Sequence, residues 1–493
     1  MTPQRDPLTR QEQAPHQGGA RPAQAATGSS PASGSGASST AAGAGADASA
    51  SAAGQPPAGA GRRSRRGLLL GGVAAGAGAA VGLSVGATLP RWRDHGGSGD
   101  AGRAGVGPSD SSSTGHEGAS PAGEHADSSA ASLTSGTATV PFHGAHQAGI
   151  ATAPAARVLM VALDLKAEVD REAIIRLLRL LTDDAARLAT GRAPVADPEP
   201  ELAERPARLT VTFGFGPGFV ERAGIEAPSW LRPLPAFSID RLEEQFSGGD
   251  LFLQISAEES TTVSHAARML LKDARAFTTL RWQQSGFREP AAPAVPSGSM
   301  RNLFGQVDGT SNPRPGTAEF DQTVWIPDGP WAGGTSLVLR RIAMNLDTWD
   351  ELDAPGRELA VGRRLRDGAP LTGTHELDEP DFAAVSENGF PVIPEFAHLR
   401  AARGEEAGGA PMQRIFRRAY NYEDPPREPG QLSDTGLLFA SFQADVDAQF
   451  VPIQERLDRL DLLNQWTVPV GSAVFAVPPG VRDGEFVGES LLG

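Results

Sequence analysis

A strand–helix–strand pattern that occurs twice between residues 158 and 282 constrains this chain more than any other feature. Val158 to Leu163 is an apolar run of strand formers. Asp170 is placed to cap a helix in which Ile174, Leu178, Leu181, Ala185 and Leu188 recur at helical spacing. Leu209-Thr210-Val211-Thr212-Phe213 then alternates as a strand. The pattern returns with Leu251 to Ile255 as strand, Ser260 to Ala274 as helix and Phe277 to Trp282 as strand. Such a repeat predicts a ferredoxin-like α+β unit. A looser second copy follows. Ser336 to Met344, Ile415 to Tyr422, Leu437 to Phe442 and Ala473 to Val477 read as strands, with a short helix around Trp349 and an amphipathic helix from Asp445 to Leu460. An acid-rich insertion spans residues 351–395.

Not all of the 493 residues suit a fold. Residues 1–60 contain no aromatic, no Ile and no Val, and residues 90–137 have Trp92 as their only aromatic before the domain begins. Segments this poor in apolar surface cannot offset the entropy of ordering and are expected to be disordered. Between them, Ser64-Arg65-Arg66-Gly67-Leu68-Leu69-Leu70 opens a Gly- and Ala-rich run, so residues 61–89 read as a twin-arginine export signal. It is either cleaved near Val85-Gly86-Ala87 or retained as a tether; a transmembrane anchor is the alternative. Export of this kind carries folded cargo to the periplasm, the cell surface or the medium. The chain has no cysteine, which excludes disulfides, thiolate ligation of iron and Fe–S clusters. Its net charge of −15 argues against nucleic acid as a partner.

Three segments carry candidate chemistry. Gly305-Gln306-Val307-Asp308-Gly309-Thr310-Ser311-Asn312-Pro313 holds a carboxylate in a turn whose glycines let the backbone press against a flat cofactor. Taken alone, Asp308-Gly309 is also an ordinary hairpin turn. Phe396-Ala397-His398-Leu399-Arg400 offers a histidine. Ile415-Phe416-Arg417-Arg418-Ala419-Tyr420-Asn421-Tyr422 offers two arginines that face opposite sides of a strand. Of nine histidines, His16, His95, His116 and His125 lie in low-complexity sequence. His143, His146, His265, His375 and His398 remain as candidate axial ligands. His265 sits in an amphipathic helix and reads as packed or solvated, and His375 sits in a polar loop. His143 and His146 have H-x-x-H spacing but no third ligand nearby, so a structural role is favoured. Gly214-Phe215-Gly216-Pro217-Gly218 lacks the Lys-Ser/Thr of a phosphate cradle and reads as a strand-to-helix turn.

A histidine, an acid and an arginine suit the splitting of hydrogen peroxide on a haem iron, and together these segments resemble the DyP-type (dye-decolourising) haem peroxidases. Within that family they most resemble the exported deferrochelatase/peroxidase branch. Gly305 to Gly309 matches the family's GxxDG motif in full, and Phe142 to Ile150 resembles the segment that opens the folded domain in the exported branch. The resemblance implies two ferredoxin-like halves, 138–300 and 301–493, packed sheet to sheet in the manner of the dimeric α+β barrels. One haem b per chain would sit in the C-terminal half. His398 becomes the proximal iron ligand, its other ring nitrogen donating to an acid; Asp445 and Asp458 are both open as that acid. Asp308 would move a proton between the peroxide oxygens, and a carboxylate in that role would favour acid conditions. Alignment selects Arg417 over Arg418 to stabilise the departing oxygen. Gly309, Thr310 and Ser311 would lie along the haem edge. Arg363 and Arg403 are candidates for the haem propionates. The chain departs from the family where an Asn-Pro-Arg-like turn is expected and Arg403-Gly404-Glu405 stands instead, and Ala419 replaces a glycine.

The partners so implied are hydrogen peroxide and a reductant that is a dye, a phenol or a porphyrin, with a link to iron uptake; a homo-oligomer is left open. Tyr420, Tyr422 and the seven Trp are either electron relays or core. A second reading makes haem binding and iron release the main role. A third is a haem-free member of the same superfold, chlorite dismutase-like or purely structural, against which Asp308 with Arg417 argues.

Overall fold

The structure is a computed structural model that describes residues 136–289, 299–404, 413–427 and 429–493. The low-complexity segments to residue 135 and the arginine pair lie outside the described residues. Strands β1 (Arg157–Leu165), β2 (Thr210–Phe215), β3 (Leu251–Ala257) and β4 (Thr278–Phe287) form one antiparallel group, in the order β2-β3-β1-β4. A two-residue pair, β5 (Met300–Arg301) and β6 (Val307–Asp308), follows. Strands β7 (Thr335–Met344), β8 (Phe416–Arg417), β9 (Tyr420–Asp424), β10 (Asp434–Gln443) and β11 (Thr467–Val477) form the second group, in which β11, β7, β10 and β9 neighbour one another in that order.

The two groups have the same strand order, as the repeated pattern predicts. They also meet at both edges. Phe287 pairs with Asn421 and Ala476 with Phe215, one residue pair at each seam, and β7 pairs with β10. The sheet is therefore closed on itself. Alternation along each strand sends one set of side chains inward. Met160, Phe252, Tyr420, Tyr422, Phe442 and Phe475 fill that interior and are fully buried.

Helix α1 (Arg171–Ala189) begins where Asp170 accepts the Ala173 N–H at 2.8 Å, the expected cap. Helix α2 (Pro217–Ala223) starts after Phe215, so the Gly-Pro-Gly stretch is the expected turn. Helix α3 occupies Ser260–Ala274, the predicted bounds. Leu178, Leu181 and Leu270 from α1 and α3 pack on Val161, Phe213 and Leu253 of the first group.

The second half departs from the sequence reading in three places. The strand expected over 415–422 is split into β8 and β9, although both keep one register against β10. The helix expected from Asp445 begins with a π turn, Val446–Phe450, before α8 (Val451–Leu460). Pro452 has no N–H to continue an ordinary ladder there. The insertion contains α6 (Ala354–Val361), which comes after the short α4 (Ala318–Val324) and α5 (Leu346–Trp349), and it then folds over the site as loops before α7 (His398–Arg403). Among the described residues no helix is long and apolar enough to cross a membrane.

Candidate active site

His398 is the first residue of α7. Its Nδ1–H donates to Asp461 Oδ2 at 2.6 Å, and Asp461 is itself 5% exposed at the side chain. Burial works to lower the imidazole pKa, but the charge and hydrogen bond of Asp461 outweigh it and hold the pKa above its ordinary value. The acid is therefore neither Asp445 nor Asp458. Asp445 caps the π turn through Ala448 N–H, and Asp458 accepts from Ser238 and Ile239. Asp461 follows α8, where the chain turns back toward α7; its other oxygen caps the next turn at Leu463.

Across the same cavity stand Asp308 and Arg417. Asp308 closes β6, and Gly309 follows at φ +113, a conformation closed to other residues without strain. Arg417 Nη1 meets Asp308 Oδ1 at 2.9 Å. Arg417 is held by its backbone. Asn312 Oδ1 accepts its N–H at 3.0 Å and Asn312 Nδ2 donates to its carbonyl at 2.7 Å. One side-chain amide thus substitutes for a neighbouring strand, and it locks the motif loop to β8. Arg418 turns the other way, donating to the carbonyls of Ile150 and Thr152, as opposite facing requires.

The cavity encloses about 1620 Å³ including its open mouth. His398, Asp308, Arg417, Thr310 and Ser311 line it, and so do Arg363 and Arg403; Gly309 lines the adjoining cavity instead. Its walls are otherwise largely apolar, with Phe304, Val307, Ile342, Leu437, Phe439 and Phe450 among them. Arg363 follows Gly362, whose φ of +86 ends α6 and turns the chain inward. The Arg363 guanidinium is buried and donates to two carbonyls, Gly368 at 2.8 Å and Glu376 at 3.0 Å. Burial, then the nearby Arg403 and Arg417 cations, pull its pKa down to about 10. Arg403 pairs with Glu379 at 2.6 Å. Residue 405, the end of the segment that departs from the family's turn, lies outside the described residues.

This set fits a haem on two counts. His398 is the one histidine that lines this cavity, and a single imidazole suits an iron that brings its own equatorial donors, as the iron of a porphyrin does. The Arg363 guanidinium is buried and, among the described residues, bonded to carbonyls alone, so its charge is available to an anion. The other histidines lie elsewhere. His146 bonds the Gly333 carbonyl at 2.7 Å and stacks on Trp325, His143 stands 4.0 Å from Asp483, His265 bonds Asp197 at 2.9 Å, and His375 is exposed. Sequence reading missed Asp461, the clamp by Asn312 and the part played by the insertion. Glu376 in that insertion accepts the Thr310 hydroxyl at 2.8 Å.

Comparison with known proteins agrees with this geometry. Residues 147–288 match the family model for the N-terminal part of Dyp-type peroxidases, and residues 299–482 match the C-terminal part. A dye-decolorizing peroxidase from Thermobifida fusca is 38% identical over 87% of this chain and 97% of its own length. A deferrochelatase from Yersinia pestis is 35% identical over 71% of this chain and 84% of its own. The crystal structure of a DyP-type peroxidase from Cellulomonas bogoriensis is 53% identical, covers 72% of this chain and 99% of that one, and superposes with a TM-score of 0.68. Ferric DtpA from Streptomyces lividans is 42% identical over 73% of this chain and 98% of that one, at a TM-score of 0.69. A closed antiparallel sheet with a His–Asp pair facing an Asp–Arg pair, and relatives this similar over most of their length, have one explanation: the chain belongs to the DyP-type peroxidase family.

Proposed function

We propose that this enzyme is an exported haem b peroxidase, which uses hydrogen peroxide to oxidise dye-like, phenolic or porphyrin-type reductants. Family membership supports the reaction class. The single observation that carries the site is the meeting of His398, Asp308 and Arg417 around one cavity. Haem, when bound, supplies the iron at which the O–O bond is split. His398 would hold that iron through Nε2, with Asp461 fixing the tautomer and increasing the basicity of the ring. Asp308 accepts a proton from one peroxide oxygen and returns it to the other. Arg417 meets the negative charge that develops on the departing oxygen. Arg363 and Arg403 would face the propionates. One peroxide and two phenols then yield two waters and two phenoxyl radicals, each phenol giving up one electron and one proton.

The halves 138–300 and 301–493 are the units of this reading, with the haem in the second. The decisive experiment is the absorption spectrum of purified protein in the haem Soret region, together with peroxide-dependent bleaching of a dye. Protein that takes up no haem on reconstitution, or takes it up and does not react with peroxide, sinks the proposal.

The similarity to deferrochelatases supports a second reading, in which iron release from haem is the main role and serves iron uptake. Haem with peroxide, compared with haem alone under anaerobic conditions, separates the two. Export by the twin-arginine route is tested by Arg65→Lys with Arg66→Lys, because a receptor reads the pair and a charge-conserving change should abolish recognition. Active protein should then stay inside the cell; undiminished activity outside the cytoplasmic membrane refutes the route.

A further inference from the structure

A second cavity, about 1900 Å³ including its open mouth, adjoins the first and shares Asp308, Thr310 and Arg417 with it. A molecule there is one side chain away from the peroxide site. Its wall contains Arg288, the residue after β4. Arg288 is half-buried, and its guanidinium lies 5.8 Å from the Tyr420 ring centroid. Among the described residues it makes no side-chain hydrogen bond and no ion pair. Burial depresses its pKa, against the pull of Tyr420 and Asp308.

Arg314 apart, the other charges on this wall are engaged. Arg417 holds Asp308, Arg418 holds two carbonyls, Asp367 pairs with Arg364, and Glu376 accepts Thr310. Arg314, exposed at the same cavity, adds positive charge. Met300, Pro313 and Phe416 supply apolar surface beside these cations. A half-buried guanidinium with no carboxylate partner among the described residues, beside apolar side chains, is a recognition element for an anion on an aromatic body.

We propose that this cavity binds small aromatic carboxylates through Arg288, so that the enzyme prefers phenolic acids to neutral phenols of the same shape. The proposal rests on the peroxidase reading for its consequence in turnover, but not for binding. It is therefore tested first without peroxide. Binding of 4-hydroxybenzoate and of its methyl ester to the haem-loaded protein is measured by calorimetry. A charge-assisted hydrogen bond predicts at least roughly tenfold tighter binding of the acid. Arg288→Gln should erase that preference, and in steady state the ratio of kcat/KM for acid over ester should fall by about the same factor. Equal binding of acid and ester to the unaltered protein overturns the proposal without any variant, as does a preference that survives Arg288→Gln. An enzyme that binds the acid selectively yet oxidises neither phenol refutes the peroxidase reading and leaves the site standing.

Discussion

In the first half, α1 and α3 lie directly on the outer face of the sheet, and Leu178, Leu181, Leu270, Val161, Phe213 and Leu253 are fully buried between them. In the second half the outer face carries Ile342, Leu437 and Phe439, and these line a cavity. The strand order is the same. What differs is the connection. Between β1 and β2 the chain runs through one long helix that packs at once. Between β7 and β9 it makes a long excursion through α5, α6, the insertion and α7, which stands off from the sheet and returns carrying Arg363, His398 and Arg403. One scaffold thus yields a core or a site according to whether its crossover lies down or stands away.

The sharpest way to break this comparison is at the ligand. His398→Ala should give folded protein almost devoid of haem, read from Soret absorbance against far-UV circular dichroism, because the filled half keeps its own core. Full haem content in that variant moves the ligand elsewhere. Next in size, Asp308→Asn and Arg417→Leu should each retain haem and slow its reaction with peroxide by about 10²–10⁴-fold in stopped-flow. An unchanged rate in both removes the assigned roles. Third, Leu178→Ala in the filled half should cost about 2–5 kcal/mol in denaturant unfolding of haem-free protein. Ile342→Ala, at the cavity wall and only partly buried, should cost less, ~1 kcal/mol, a partial transfer term. Equal costs would erase the distinction between the halves.

The smallest effect concerns the filled half and pH. Burial, then a hydrogen bond and charge from Asp273, push the Asp184 carboxyl up to about 8. The unfolded chain releases this proton near pH ~4, the folded chain only near the raised value, so between the two the folded state binds more protons. Stability from this group is therefore complete at low pH and lost as pH rises through that window. Asp184→Asn should raise the melting temperature at pH 7 by a few degrees and flatten the pH dependence. A variant that melts lower, with the same slope, shows that Asp184 is ionised in the fold.

Much of this was legible in the residues. The spacing of Ile174, Leu178 and Leu181 dictates a helix whatever surrounds it, and Asp170 marks its start. The motif around Asp308 announces a turn because glycine alone tolerates the backbone at 309. Asp461 was not legible, because its role depends on where α8 stops and how the chain turns back, and Asp445 and Asp458 are the same residue type within 16 positions. The clamp by Asn312 on Arg417 joins residues 105 apart in sequence, and no local period reports it. Glu376 looked like one acid among many in a polar insertion; only the fold brings it under the Thr310 hydroxyl.

The Asn312 amide has a further consequence. A strand that ends a sheet presents unpaired N–H and C=O groups, and such an edge is a template on which another chain can add. At Arg417 both groups are already taken by one side chain. The contact that aims a cation into the cavity also blocks strand addition at that residue. Asn312→Ala should consequently do two unrelated kinds of harm, a misaimed guanidinium and a stickier protein, and light scattering on standing at high concentration would register the second without reference to peroxide at all.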